Sequence, residues 1–250
     1  MLEARGLAIQ FGGIKAVDGI GFAVEPSTIF TIIGPNGAGK TTIFNLISRI
    51  YDATAGTILF DGRDITRAPA SQIARLGIAR TFQNIELFDN ASVLQNILVG
   101  RHIHIRTGIA SEMLRLPSVT KEEVKARRRV EEIIDFLRLQ PYRDARVGGL
   151  AYGLRKMVEL ARALACEPKL LLLDEPSSGL NVEETDDIGQ WIRDIRDTLG
   201  VTVLMVEHDM RLVSAVSDRV LALNYGRQLS IGTAADVQRD PAVIAAYLGS

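Results

Sequence analysis

Apolar residues follow two different periods along this chain. Ile20, Phe22 and Val24 alternate with small or polar residues, and Thr57–Phe60 is short and rich in β-formers, so both stretches predict strands. Thr28–Ile33 is a nearly unbroken apolar run, as expected of a strand buried on both faces. It leads into GPNGAGKTT and then into Ile43, Phe44, Leu46 and Ile47, which predicts strand, glycine loop and helix in succession. From about residue 90 to 165 the period is helical. Ala126, Val130, Ile133, Ile134 and Leu137 share one face behind a capping box at Thr120-Lys121-Glu122-Glu123, with Pro117 separating this helix from an earlier stretch. A second helix is predicted over Leu154–Ala165, with Met157, Leu160, Ala161 and Leu164 inward. Alternation then resumes. Leu170–Leu173 is a buried strand, and Asn181 with Glu184 starts a helix whose face is Ile188, Ile192, Ile195 and Leu199. Val201–Val206 is the next strand, and a helix begins near Asp209. Strands alternating with helices imply βαβ units and an α/β fold, with a helical region of 90–165 inserted between 1–90 and 165–250.

Composition narrows the class. The chain has 250 residues, 47% hydrophobic and 24% charged, which is globular and not disordered. Cys166 is the only cysteine, so no disulfide framework exists. No run of about 18 apolar residues is present, so no membrane-spanning helix is expected. The start, MLEARGLAIQ, lacks the pattern of a signal peptide, which with the single cysteine points to the cytoplasm. A net charge of −1 argues against a general nucleic-acid binder. Residues 101–162 carry fourteen Lys/Arg against eight acids, and residues 174–197 carry eight acids against two Arg, a pattern read as solvated helix faces.

Two stretches carry chemistry. Gly34-Pro35-Asn36-Gly37-Ala38-Gly39-Lys40-Thr41 fits G-x-x-x-x-G-K-[ST], with Thr42 following. Glycines let successive backbone N–H groups turn toward phosphates, and the helix beginning near Lys40 presents its positive end. The Lys40 ammonium suits the β- and γ-phosphates of ATP, and the Thr41 hydroxyl suits Mg²⁺. Asp174 and Glu175 end the leucine strand, at the sheet edge where ligands bind in parallel sheets. Asp174 can hold Mg²⁺, and Glu175 can orient or deprotonate an attacking water.

With these motifs placed, the chain resembles the ATP-binding cassette of ABC transporters over essentially its whole length. That family is an ATPase coupled to transport. Gln83 in Thr81-Phe82-Gln83 matches the Q-loop and is implied as a second Mg²⁺ or water contact. Leu150-Ala151-Tyr152-Gly153-Leu154 stands where the LSGGQ signature stands. Ser178-Gly179-Leu180-Asn181 matches the D-loop. His208 matches the switch histidine, a hydrogen-bond donor to the γ-phosphate, and Phe11 occupies the position of the aromatic that stacks on adenine. The resemblance implies a P-loop NTPase (RecA-like) core with a mixed or parallel sheet, an N-terminal antiparallel β part and an inserted α-helical subdomain. It also implies head-to-tail pairing of two cassettes with ATP between them. His102 and His104 read as surface residues, and Cys166 as packing.

The signature departs from the family pattern. Ala151 has no hydroxyl for the opposite nucleotide, Tyr152 replaces a glycine and Leu154 a glutamine, while Gly153 and a helix N-terminus remain. The D-loop ends in Asn181 where Asp is usual.

The segment Thr81–Phe88, the helical insertion at 101–146, Glu175–Asn181 and the ending Val220–Ser250 are similar to the LivG-type subunit of branched-chain amino acid importers. That likeness implies four partners: a second ATPase subunit, identical or related, two membrane permeases, and an extracytoplasmic solute-binding protein. It places the chain peripherally on the cytoplasmic face of the plasma membrane. Import of urea, amides or aromatic acids, lipid or lipopolysaccharide export, a weakly hydrolysing regulatory subunit and a soluble non-transport ABC ATPase are the alternatives. A P-loop kinase would leave Gln83, the signature and His208 without a purpose.

Overall fold

The computed structural model describes residues 1–81, 85–104 and 117–248, apart from the side chains of 117–121 and 248. Gln83 and residues 105–116 of the 101–146 insertion therefore lie outside the described residues. The chain divides into two units, one of residues 1–83 and 169–250, the other of 84–168.

The first unit holds β1 (Leu2–Phe11), β2 (Ile14–Val24), β3 (Ile29–Ile33), α1 (Lys40–Ile47), β4 (Ala55–Phe60), β5 (Arg63–Asp64), α2 (Ala70–Leu76) and β6 (Ile78–Arg80). The second holds α3 (Val93–Gly100), α4 (Pro117–Phe136) and α5 (Tyr152–Leu164). The chain then returns to the first unit through β7 (Leu170–Asp174), α6 (Val182–Leu199), β8 (Thr202–Val206), α7 (Met210–Val216), β9 (Arg219–Asn224), β10 (Arg227–Gly232), α8 (Ala234–Arg239) and α9 (Pro241–Leu248).

Two sheets form the first unit. Period-two alternation produces the antiparallel one, in the order β2-β1-β4-β5. Its inward residues include Val17, Ile20, Phe22 and Val24 on β2, and Ile58 and Phe60 on β4. The continuous apolar runs produce the other sheet, in the order β10-β9-β3-β8-β7-β6, parallel from β9 through β6 and antiparallel only at the β9–β10 edge. All five residues of β3, β7 and β8 are buried, as both faces of that sheet are covered. One face joins Phe30, Ile32, Leu172 and Leu204 with Ile43, Phe44, Leu46 and Ile47 of α1 and with the antiparallel sheet. The other face joins Ile33, Val220 and Ala222 to Val213, Val237 and Val243 of the C-terminal helices. Each large apolar side chain buried this way stabilises the unit by about 1.5–3 kcal/mol.

The second unit is helical. Val93, Leu94 and Ile97 on α3, Val130 and Ile134 on α4, and Val158, Leu160 and Ala161 on α5 are buried. A Cβ at Gly100 would lie 2.2 Å from the Arg162 carbonyl oxygen, so glycine is what lets α3 approach α5.

Several expected boundaries move. Helix α4 starts at Pro117, and the Thr120 capping box falls inside it. Proline is favoured in a first turn, where its missing N–H has no helical partner to serve, and so it opens this helix. Helix α5 starts two residues earlier than its apolar period suggests. Leu199, assigned to the inner face of α6, is 40% exposed in the last turn. The expected start of α6 is found as drawn. The Asn181 side chain accepts the Glu184 N–H at 3.0 Å, and the Glu184 carboxylate accepts the Asn181 N–H at 3.0 Å.

Candidate active site

Three adjacent parallel strands, β3, β8 and β7, deliver the chemistry at their C-terminal ends. β3 runs into the glycine loop at Gly34, β7 ends on Asp174, and β8 is followed at once by Glu207 and His208. The register ties them together. Asp174 pairs with Val206, Val206 pairs with Ile32, the Glu175 N–H donates to the Val206 carbonyl at 3.0 Å, and the Glu207 N–H donates to that of Ile32 at 3.2 Å.

A cleft of about 290 Å³ lies over the loop, lined by residues 36–42, with Ala16 and Glu175 at its sides. Asn36, Gly37, Ala38, Gly39, Lys40, Thr41 and Thr42 therefore all line one cavity, while Gly34 is buried and is not part of its lining. Gly39, the residue before α1, has φ +99°, and a Cβ there would stand 2.5 Å from the Ala16 carbonyl oxygen. Only glycine fits both demands. The Lys40 ammonium folds back over the loop and donates to Gly34 O at 2.7 Å and Pro35 O at 3.2 Å. Burial pushes its pKa down, and the carboxylates of Glu175, Asp174 and Glu207 counter part of that shift.

Glu175 has φ +49°, a left-handed backbone that costs a non-glycine residue roughly 1–3 kcal/mol. The strain is held by its N–H bond to Val206 and by its carbonyl, which accepts the Ser178 N–H at 3.1 Å. His208 is exposed, with Nδ1 3.8 Å from a Glu175 oxygen and 3.8 Å from a Glu207 oxygen. The sequence-assigned Glu175 and His208 thus meet across strands. Ser178, Gly179, Leu180 and Asn181 form the turn that follows, with Gly179 at φ +78°.

Two charged residues absent from the sequence assignment join this group. Glu207, fully buried, accepts backbone N–H groups from Ser177 at 2.8 Å, His208 at 2.7 Å and Asp209 at 3.0 Å. Arg80, at the end of β6, donates to Asp174 Oδ2 at 2.8 Å, with both side chains almost wholly buried.

Asp174 Oδ1 is buried and has no hydrogen-bond partner among the described residues. The charge of Asp174 acts on Lys40 in the loop, and its orphaned carboxylate oxygen together with the Thr41 hydroxyl supplies oxygen donors of the kind Mg²⁺ takes. The residues present fit that ion.

Phe11 ends β1, is 45% exposed and packs edge-on against Tyr51, with ring centroids 5.2 Å apart. It does not line the phosphate cleft. The signature residues belong to the second unit. Leu150 is half-buried, Ala151 is the N-cap of α5 without a side-chain capping bond, and Tyr152, Gly153 and Leu154 form the first turn. Lys156 Nζ stands 5.7 Å from the Tyr152 ring centroid. His104 Nε2 lies 3.0 Å from the Cys166 carbonyl oxygen, and burial pushes the Cys166 thiol up. Among the described residues no cluster of His, Cys, Asp and Glu holds a metal by itself, and no helix is long and apolar enough to cross a membrane.

Comparison with known proteins decides the family. The profile described as ABC transporter matches residues 17–178. The chain belongs to the ABC transporter ATP-binding family. Its members are ATPases, and the α/β fold with a P-loop core is theirs. A second profile, the branched-chain amino acid ATP-binding cassette transporter, matches residues 227–250 of this ABC ATPase. The chain is 40% identical over 249 residues to the high-affinity branched-chain amino acid transport ATP-binding protein BraF of Pseudomonas aeruginosa, covering 100% of this chain and 98% of that one. It is 39% identical over 249 residues to LivG of Escherichia coli K12, with the same coverage. Among solved structures, the ADP conformation of the cassette MJ1267 matches with a TM-score of 0.88 and 30% identity, covering 100% and 99% of the two chains.

Proposed function

We propose that this ABC ATPase powers an importer of branched-chain amino acids, working on Mg²⁺-ATP. Substrate class rests on the match of residues 227–250 to the branched-chain profile, together with full-length relatives named for that transport. The observation that carries the chemistry is the convergence of Lys40, Asp174, Glu175 and His208 at the ends of three neighbouring strands.

The geometry supports the following residue roles. Backbone N–H groups of the glycine loop and the start of α1 hold the phosphates. Lys40 exchanges the Gly34 and Pro35 carbonyls for phosphate oxygens, a gain for a buried cation that now has only neutral acceptors. Thr41 and the free oxygen of Asp174 hold Mg²⁺, which when bound neutralises charge on the β- and γ-phosphates. Glu175, at the cleft wall, orients the attacking water and accepts its proton. His208 donates to the γ-phosphate from within reach of Glu175. Phe11 offers its ring to the base.

The partners are a second cassette, two permease subunits and an extracytoplasmic binding protein, and the chain sits peripherally on the cytoplasmic membrane face. The Ala151–Leu154 segment and the Ser178–Asn181 turn face the partner cassette. Nucleotide binding then biases closure of the pair, and hydrolysis releases it.

The test is uptake. Cells carrying Glu175→Gln in place of the native residue should lose transport of labelled leucine, isoleucine and valine. Unchanged uptake of these three, with loss of urea, amide or aromatic-acid uptake, would assign another substrate.

A further inference from the structure

We propose that Arg80 is a positioning residue for the metal: it fixes the Asp174 carboxylate so that one oxygen is held in place and the other faces Mg²⁺. This rests on the Mg²⁺-nucleotide reading of the site given above.

The observation is a buried guanidinium tied to two walls of the site. Arg80 Nη2 donates to Asp174 Oδ2 at 2.8 Å, and Nη1 donates to Asn45 Oδ1 at 2.7 Å and to Ser48 Oγ at 2.9 Å. Asn45 lies in α1, the helix that begins at Lys40, and Ser48 is its C-cap. The Ser48 hydroxyl spends its proton on the Phe44 carbonyl at 2.6 Å, so its oxygen faces Arg80 as an acceptor. The guanidinium carbon lies 5.6 Å from the centroid of the Phe44 ring, itself fully buried. Strand register completes the frame, since Arg80 pairs with Leu172, two residues before Asp174.

The planar fork of arginine matters here. One nitrogen serves the carboxylate and another serves α1, so the distance between Asp174 and the phosphate-loop helix is set by a rigid group. Asp174 has two oxygens. Arg80 uses one, and the other is the buried, partnerless Oδ1. Without the fork, the carboxylate can rotate and its two oxygens lose their separate assignments. The guanidinium bonds described here run to Asp174, Asn45 and Ser48, so its effect on the metal passes through Asp174.

The competing reading is a purely structural ion pair, or an arginine that must leave before metal enters. The experiment separates these on the purified chain. Mn²⁺ is titrated by electron paramagnetic resonance at saturating ADP, and metal-free nucleotide affinity is measured with a fluorescent ADP analogue in EDTA. Arg80→Met should weaken Mn²⁺ binding at least about tenfold while metal-free nucleotide affinity moves less than about threefold. Arg80→Lys keeps the charge but not the fork, and should fall between. Asn45→Ala and Ser48→Ala leave both charges in place and loosen the frame, so they carry the test if Arg80→Met does not fold; each should weaken Mn²⁺ by roughly threefold. Mn²⁺ affinity unchanged or tighter in Arg80→Met, or unchanged in Asn45→Ala and Ser48→Ala where Arg80→Met does not fold, overturns the proposal. If the wild-type chain binds no Mn²⁺ with ADP, the Mg²⁺-nucleotide reading fails, and the role of Arg80 fails with it.

Discussion

The Glu207 carboxylate accepts the backbone N–H of Ser177 at 2.8 Å, across thirty residues of sequence. Its other oxygen accepts the N–H groups of His208 and Asp209. One fully buried side chain thereby pins both the turn that carries Ser178–Asn181 and the turn that carries His208. Three N–H donors compensate the buried charge, which is what makes a carboxylate tolerable there.

Glu207→Gln tests this staple. The amide NH₂ must face at least one of those N–H groups, leaving a donor unsatisfied at a cost of about 1–3 kcal/mol. For a chain of this size the thermal midpoint should fall by about 2–4 °C per kcal/mol. Nucleotide affinity should hold, because the glycine loop follows a different strand, while ATP hydrolysis should drop roughly tenfold as His208 loses its anchor. Calorimetry and a phosphate-release assay check both arms. Intact hydrolysis with lowered stability would confine Glu207 to a structural role.

Lys40 is stability spent on function. Its folded pKa lies below the ordinary lysine value, so the folded state disfavours its proton. The penalty is present in full at any pH at which Lys40 is charged in both states. It is relieved only as pH rises from the folded pKa toward the unfolded value of 10.5. Lys40→Met should therefore raise the thermal midpoint of the nucleotide-free protein, by about 2–4 °C if the gain is near 1 kcal/mol. The same variant should bind ATP at least about a hundredfold more weakly. A lower midpoint would mean that its bonds to Gly34 and Pro35 outweigh the cost of burial.

Ala151→Ser adds the missing cap to α5. The Ala151 backbone is extended at ψ 153°, and it makes no side-chain capping bond. Serine at an N-cap is worth about 1 kcal/mol over alanine, so the midpoint should rise by about 2–4 °C. Affinity of this chain for its own ATP should not change. Differential scanning fluorimetry and nucleotide titration read the two effects.

Legibility of this molecule in its sequence followed the range of the interactions. The glycine loop and the Asp174–Glu175 pair are local, with glycine, lysine, hydroxyl and acid at fixed spacings, and they stand where the spacing placed them. The parallel strands were legible because burial on both faces leaves unbroken apolar runs such as Ile29–Ile33. The Asn181–Glu184 cap was legible for the same local reason. Arg80 was not, since a single arginine closing a three-residue strand gives no signal, and its partner Asp174 lies 94 residues on. Glu207 was hidden in the same way, because its three donors come from backbone. The Pro117 start of α4 was misplaced because Thr120 and Glu123 form a plausible cap in isolation. In the fold, Pro117 begins the helix three residues earlier. Leu199 fits the apolar period of α6 but ends it, at a point where the helix has run past its buried face.

The central claim is that Glu175 drives hydrolysis of ATP held by Lys40 and its loop. Its most direct test is ATP affinity and turnover of Glu175→Gln, measured side by side on the chain paired with its partner cassette. The account predicts ATP affinity within about threefold of wild type, turnover lowered at least about a hundredfold, and accumulation of a closed, ATP-bound cassette pair. Turnover near the wild-type rate would contradict it.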